Sequence, residues 1–212
     1  MNPDKRQPSG TNGREFRGEP LSAWLTPDFA RGAREVIDEG SADGILYLEE
    51  GVARFQAGDL HGAIAAWEES LAADPQRHEA WLDLARARHS IGQLEQAESC
   101  ARRALQLEPD SGESWFELGN LQLSRGELDA SIDSFRKALE HSPKLEEAWV
   151  NHGNAHALAG RFDESIQCYW KAVELRPDLF QGWFNLGNSH VVLAQIDEAI
   201  SAYETAAERS PG

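Results

Sequence analysis

Proline recurs on a fixed grid in this chain: Pro75, Pro109, Pro143, Pro177 and Pro211 stand 34 residues apart. Trp81, Trp115, Trp149 and Trp183 keep the same interval, and Tyr47 lies one interval before them. A fixed period of this length marks a repeat array, in which each unit buries its apolar face against its neighbours. Function in such an array is spread along a surface tiled by equivalent columns of side chains, not gathered in one cleft.

The units run 44–77, 78–111, 112–145, 146–179 and 180–212. After the aromatic column comes an apolar one (Leu48, Leu82, Phe116, Val150, Phe184), then a small one (Gly51, Ala85, Gly119, Gly153, Gly187). The second half of each unit carries a small column (Ala63, Ala97, Ser131, Ser165, Ala199) and then Trp67, Ala101, Phe135, Tyr169 and Tyr203. Both halves have helical periodicity: Trp115, Leu118, Gly119 and Gln122 share one face, as do Leu128, Ser131, Ile132, Phe135 and Leu139. Gly58, Gly92, Gly126 and Gly160 stand between the halves as helix stops, with Ala194 in the fifth unit. Each closing proline bars the second helix from continuing. The expected fold is all-α, a right-handed α-solenoid of helix–turn–helix units, with small residues facing large ones.

These columns resemble the tetratricopeptide repeat family over residues 44–212, through Trp115, Leu118 and Gly119, then Ser131, Phe135 and Ala138, and the terminal Pro143. Departures are local: Glu50 and His152 replace a usual leucine, Ala101 replaces a bulky residue, and Arg54, Arg88, Gln122, His156 and His190 fill a usual tyrosine column.

The formal net charge is -16. Phosphate binding needs clustered Lys and Arg, so nucleic acid and anionic membrane surfaces are disfavoured as partners. A basic protein or peptide partner suits the charge, although acidity also serves solubility alone. No apolar run is long enough to span a bilayer, and Met1 to Gly13 lack an apolar signal core, so the cytoplasm is the expected location. Cys100 and Cys168 lie two units apart in one column, out of disulfide reach, and read as buried or half-buried free thiols. Residues 1–25 read as disordered, except for Trp24 and Leu25. A short amphipathic helix over 26–43, entered at Thr26-Pro27 and stopped at Gly40, is expected to cap the first unit. The other reading of Trp24 and Phe29 is a short docking motif. The chain stops at Pro211-Gly212 without the extra helix usual in the family. Either the array ends there, leaving a surface for self-association, or a longer protein continues beyond it.

Opposite the packing aromatics, each first helix carries a polar stripe. Resemblance to the family implies that this stripe lines a concave groove for extended peptides. Stacked, the stripes give two ladders: Glu49, Asp83, Glu117, Asn151, Asn185, and Val52, Arg86, Asn120, Asn154, Asn188. Asparagine is a mediocre helix former, so five of them mid-helix cost stability. Their amides suit the alternating donors and acceptors of a peptide backbone, while the carboxylates favour Lys or Arg on the partner. The competing readings are asparagines that bond locally between units, and carboxylates that form a solvated face. The ladder is similar to the substrate-guiding repeat arm of O-linked N-acetylglucosamine transferases, which implies a recruiting arm of a larger enzyme as the alternative function. A carboxylate-clamp adaptor is disfavoured, because Arg86 is the sole cation that the first helices bring to the groove.

His152 and His156, four apart, could chelate a metal, but both occupy packing columns and are expected to pack, as is His190. No phosphate loop, nucleophile elbow or paired-cysteine motif is present. The expectation is a non-enzymatic protein-interaction scaffold with no cofactor and no metal.

Overall fold

The computed structural model describes residues 39–209, with side chains described from Asp43. The expectations for residues 1–25, for the capping helix up to residue 38 and for Pro211 lie outside the described residues. Gly40, read from sequence as a helix stop, lies inside a helix that starts at Glu39.

Ten helices, and no strands, occupy the described residues: α1 (Glu39–Gln56), α2 (Leu60–Ala73), α3 (His78–Ser90), α4 (Leu94–Leu107), α5 (Gly112–Ser124), α6 (Leu128–His141), α7 (Glu146–Leu158), α8 (Phe162–Leu175), α9 (Phe180–Val192) and α10 (Ile196–Glu208). From Asp43 onward the chain is one compact unit. Consecutive helices from α2 to α10 pack on one another, and α3, α5, α7 and α9 also touch in sequence. The first helices therefore form a continuous layer, which is the arrangement of an α-solenoid.

Small-against-large packing holds each helix pair together. A Cβ added at Gly119 would lie 2.7 Å from the Phe135 ring, and one at Gly187 would lie 2.6 Å from Tyr203. Gly51 meets Trp67 in the same way, and Gly153 meets Tyr169. Where the large residue is absent, at Ala101, its partner is Ala85, and both are fully buried. Close approach of the two backbones is thus set by the small columns.

The turn inside each unit is left-handed at one residue. Gly58, Gly92, Gly126 and Gly160 have φ between 74° and 80°, and Ala194 has φ 57°. An alanine in this region carries roughly 1–2 kcal/mol of strain, so the departure seen in sequence is a real local cost.

The two grids that announce the repeat are bonded to each other. Trp81, Trp115, Trp149 and Trp183 donate their indole N–H to the carbonyls of Pro75, Pro109, Pro143 and Pro177, at 2.8 to 3.0 Å. Proline closes the unit, and the next tryptophan pins the turn that the proline makes. The tryptophans are only half-buried, and the indole hydrogen bond satisfies a carbonyl that no helix serves.

Candidate functional site: the layer of first helices

The nine polar ladder residues fall into two halves with different chemistry. In the first half, Glu49 is exposed and makes no hydrogen bond or ion pair among the described residues. Asp83 and Arg86 are neighbours on α3. Arg86 Nη1 reaches Asp83 Oδ1 at 3.4 Å, and its Nη2 reaches Glu113 Oε2 at 2.8 Å. Burial pushes the Asp83 carboxyl above its usual range, with Arg86 opposing and Glu113 and Glu79 adding to the rise. Glu117, only 5% exposed, accepts from His89 Nδ1 at 2.8 Å, and His89 Nε2 lies 2.9 Å from Ser124 Oγ.

Two of the three ladder carboxylates are therefore engaged inside the protein. Arg86, the one groove cation foreseen, is held between two carboxylates. His89 was missed in sequence because it lies outside the repeating stripe. Its contact to Glu117 joins residues 28 apart, a distance set by how two units stack.

The second half is an amide chain. Asn185 Nδ2 donates to Asn154 Oδ1 at 2.9 Å, Asn154 Nδ2 to Asn151 Oδ1 at 3.3 Å, and Asn151 Nδ2 to Asn120 Oδ1 at 2.8 Å. The bonds from Asn185 to Asn154 and from Asn151 to Asn120 each cross from one unit to the next. Asn154 Oδ1 also accepts from the Tyr169 hydroxyl at 2.8 Å, so both of its lone pairs are used. Asn188 stands apart. It is exposed, its Oδ1 accepts from Tyr203 at 2.7 Å, and its amide N–H groups have no partner among the described residues.

The local-bonding reading thus describes Asn120, Asn151, Asn154 and Asn185 in this unliganded chain. Each still keeps at least one free amide hydrogen among the described residues, because an amide nitrogen has two and donates at most once here.

Beside the amides lies an open depression of about 420 Å³ whose lining includes Asn154, Tyr169, Asn185, Asn188, Leu158 and Val192. Leu158 is 67% exposed and Val192 58%. These are the fourth rungs of the α7 and α9 stripes, so this stretch presents amides and bare aliphatic side chains together. A second depression, of about 490 Å³, includes Glu79, Asp83, Arg86 and Glu113 in its lining and is the charged counterpart.

His152 and His156 pack as the sequence implied. The His152 ring lies 6.4 Å from Phe135 and from Trp149, centroid to centroid, and 4.6 Å from His156. Burial, with help from His156, lowers the His152 pKa to about 4, and burial also lowers that of His156. Cys100 and Cys168 are both buried and free. Burial pushes the Cys168 thiol up to about 12.

This layered stack of helix pairs defines a helical-repeat protein-interaction scaffold. Tetratricopeptide repeat models match residues 54–118, 112–145, 153–191 and 180–212, and the chain belongs to the tetratricopeptide repeat family. Among solved structures it is similar to MamA, at 26% identity over 75% of this chain and 93% of that chain, with a TM-score of 0.69. It is also similar to YrrB, described as a TPR protein with an unusual peptide-binding site, at 18% identity over 86% and 92% with a TM-score of 0.67. PilF of Pseudomonas aeruginosa aligns at 14% identity over 82% and 80%, with a TM-score of 0.76. At 18% and 14% the likeness speaks for the fold alone. No curated protein sequence matches. No helix among the described residues is long and apolar enough to cross a membrane.

Proposed function

We propose that the chain is a non-catalytic scaffold whose layer of first helices binds an extended segment of a partner protein. The observation that carries this reading is the depression around Asn188, Leu158 and Val192. An exposed amide with unused donors sits there beside exposed aliphatic side chains. Such a surface suits an extended peptide, whose carbonyls take the amide donors and whose apolar side chains cover Leu158 and Val192. The preference for basic residues rests toward the other end, on Glu49 and on Glu79, both exposed and without a hydrogen bond or ion pair among the described residues. Asp83 and Glu117 contribute less there, because Arg86 and His89 already engage them.

Titration with peptide libraries, read by fluorescence anisotropy of labelled peptides, tests the proposal. Saturable binding favouring peptides with an apolar segment followed by basic residues, in either direction, is the expected result. Asn188→Ala is the informative variant, because Asn188 lies outside the amide chain. It should weaken binding about fivefold to tenfold, the loss of one or two hydrogen bonds, without moving the unfolding midpoint. A folded protein that binds none of the peptides sinks the proposal.

The amide chain also suits the recruiting arm of a larger enzyme, and the reading frame downstream of Gly212 separates the two. Ile196 and Ile200 on α10 are 55% and 50% exposed, whereas the equivalent Phe162 and Ile166 are half-buried. Light scattering across concentrations tests whether that face pairs two copies.

A further inference from the structure

Independently of the groove, we propose that His152, His156 and Cys168 form a three-ligand binding site for a zinc-class divalent transition-metal ion between α7 and α8, with water as the fourth ligand. His152 and His156 are four apart on one face of α7, and Cys168 lies on α8. One ligand atom from each of His152, His156 and Cys168 lies within 4.8 Å of the others. His152 is the central residue. Its Nε2 is 3.1 Å from His156 Nε2, and its Nδ1 is 3.6 Å from Cys168 Sγ.

A tetrahedral zinc ion with bonds of about 2.05 Å to nitrogen and 2.3 Å to sulfur sets its ligand atoms about 3.3 to 3.6 Å apart. The two measured contacts, 3.1 and 3.6 Å, lie close to that span. They use opposite nitrogens of His152, so an ion on one of them draws the third ligand, within 4.8 Å, inward by about 1.5 Å at most, a side-chain rotation rather than a backbone shift.

Three further observations point to a ligand. His156 Nδ1 is buried and makes no hydrogen bond, in a side chain only 9% exposed. Coordination relieves that nitrogen when the ion binds Nδ1 itself and Nε2 stays facing His152. Second, a thiolate offsets one charge of a divalent ion, and Glu164 acts electrostatically on both His156 and Cys168. Glu164 is also exposed, which gives the ion a way in.

The third observation comes from the repeat itself. The positions equivalent to His152, His156, Glu164 and Cys168 are Leu84, Arg88, Gln96 and Cys100 in the second unit, and Leu118, Gln122, Ala130 and Ser134 in the third. In the fifth they are Leu186, His190, Glu198 and Ala202, and in the first Glu50, Arg54, Gly62 and Ala66. The backbone is the same, yet two histidines and a cysteine meet in the fourth unit alone. Packing explains any one of them, and Cys100, beside Arg88 Nη1 at 3.3 Å, shows what the column does without histidines. Weighed from sequence as a pair, the two histidines looked like packing residues. Cys168, sixteen residues on, is what the fold adds.

The test uses the full untagged chain, stripped with chelator and titrated with Co2+ and then Zn2+. One equivalent of Co2+ should bind, giving the visible d–d bands of a tetrahedral ion and a near-ultraviolet thiolate-to-metal charge-transfer band, and Zn2+ should displace it. Cys168→Ser should abolish the charge-transfer band and weaken binding at least about tenfold, while Cys100→Ser should leave both unchanged. Helical circular dichroism of both variants keeps loss of fold distinct from loss of ligand. The proposal is overturned by a folded wild-type chain that takes up no stoichiometric Co2+. It is equally overturned by octahedral bands alone, or by a charge-transfer band that survives Cys168→Ser.

Discussion

The two halves of the first-helix layer solve one problem with different groups. Toward the N-terminal end, Arg86 meets Asp83 and Glu113 as ion pairs, and His89 meets Glu117 through a hydrogen bond. Toward the C-terminal end polar side chains meet as amides, from Asn185 to Asn120, with Tyr169 joining at Asn154. Both arrangements tie one unit to the next. An ion pair holds its partners by charge, so a missing partner leaves a charge behind. An amide chain holds by geometry, is indifferent to salt and pH, and keeps spare donors for a ligand. The amide half is therefore the better place for a reversible grip on a neutral peptide backbone.

The largest expected effect breaks the amide half. Asn154→Ala removes three hydrogen bonds and orphans the hydroxyl of buried Tyr169, at about 1 kcal/mol per bond, or about 3 kcal/mol in all. Urea unfolding measures it, and a loss under about 1 kcal/mol would mean that the amide chain adds nothing to stability. A double variant of Asn154 and Asn188 would mix this structural loss with the binding loss, so the two positions need separate tests.

Next comes His89→Ala, which strips the partner from Glu117 and leaves a buried carboxylate unpaired. It should cost about 2 kcal/mol, more than Glu117→Ala, which leaves only a half-exposed imidazole. The reverse order would show that the pair is held by packing. Added salt should leave the Asn154→Ala difference unchanged.

The smallest effect is the pH response of Asp83. Its folded pKa is raised, so its protonated form is favoured by folding. The stabilisation is present below the ordinary carboxylate range and is lost as pH rises through the folded value. Asp83→Asn should therefore match wild type near pH 4 and gain on it toward pH 7, by no more than about 1 kcal/mol. A gain that instead grows as pH falls would place Asp83 among the stabilising carboxylates.

Much of the fold was legible because a repeat states its rules several times. Trp115 and Pro143, read alone, are an aromatic and a breaker. Read as columns they give unit length, helix boundaries and the small-large interlock of Gly119 with Phe135. Ala194 was visible as an exception for the same reason. The candidate site was legible only as a set of positions. Its ladder residues were read as one stripe, but their bonding was not legible, since Asn185 with Asn154 and His89 with Glu117 join residues 31 and 28 apart. His156 and Cys168 likewise looked unrelated until α7 and α8 were laid side by side.

From α2 onward, sequence alone determined where the helices turn and which face of each is apolar, because those depend on a few neighbouring residues and on the spacing of side chains around one helix. Tertiary structure decided which polar side chains from successive units touch. That depends on the offset and rotation between stacked helices and on the rotamers they permit, quantities that no interval along the chain encodes.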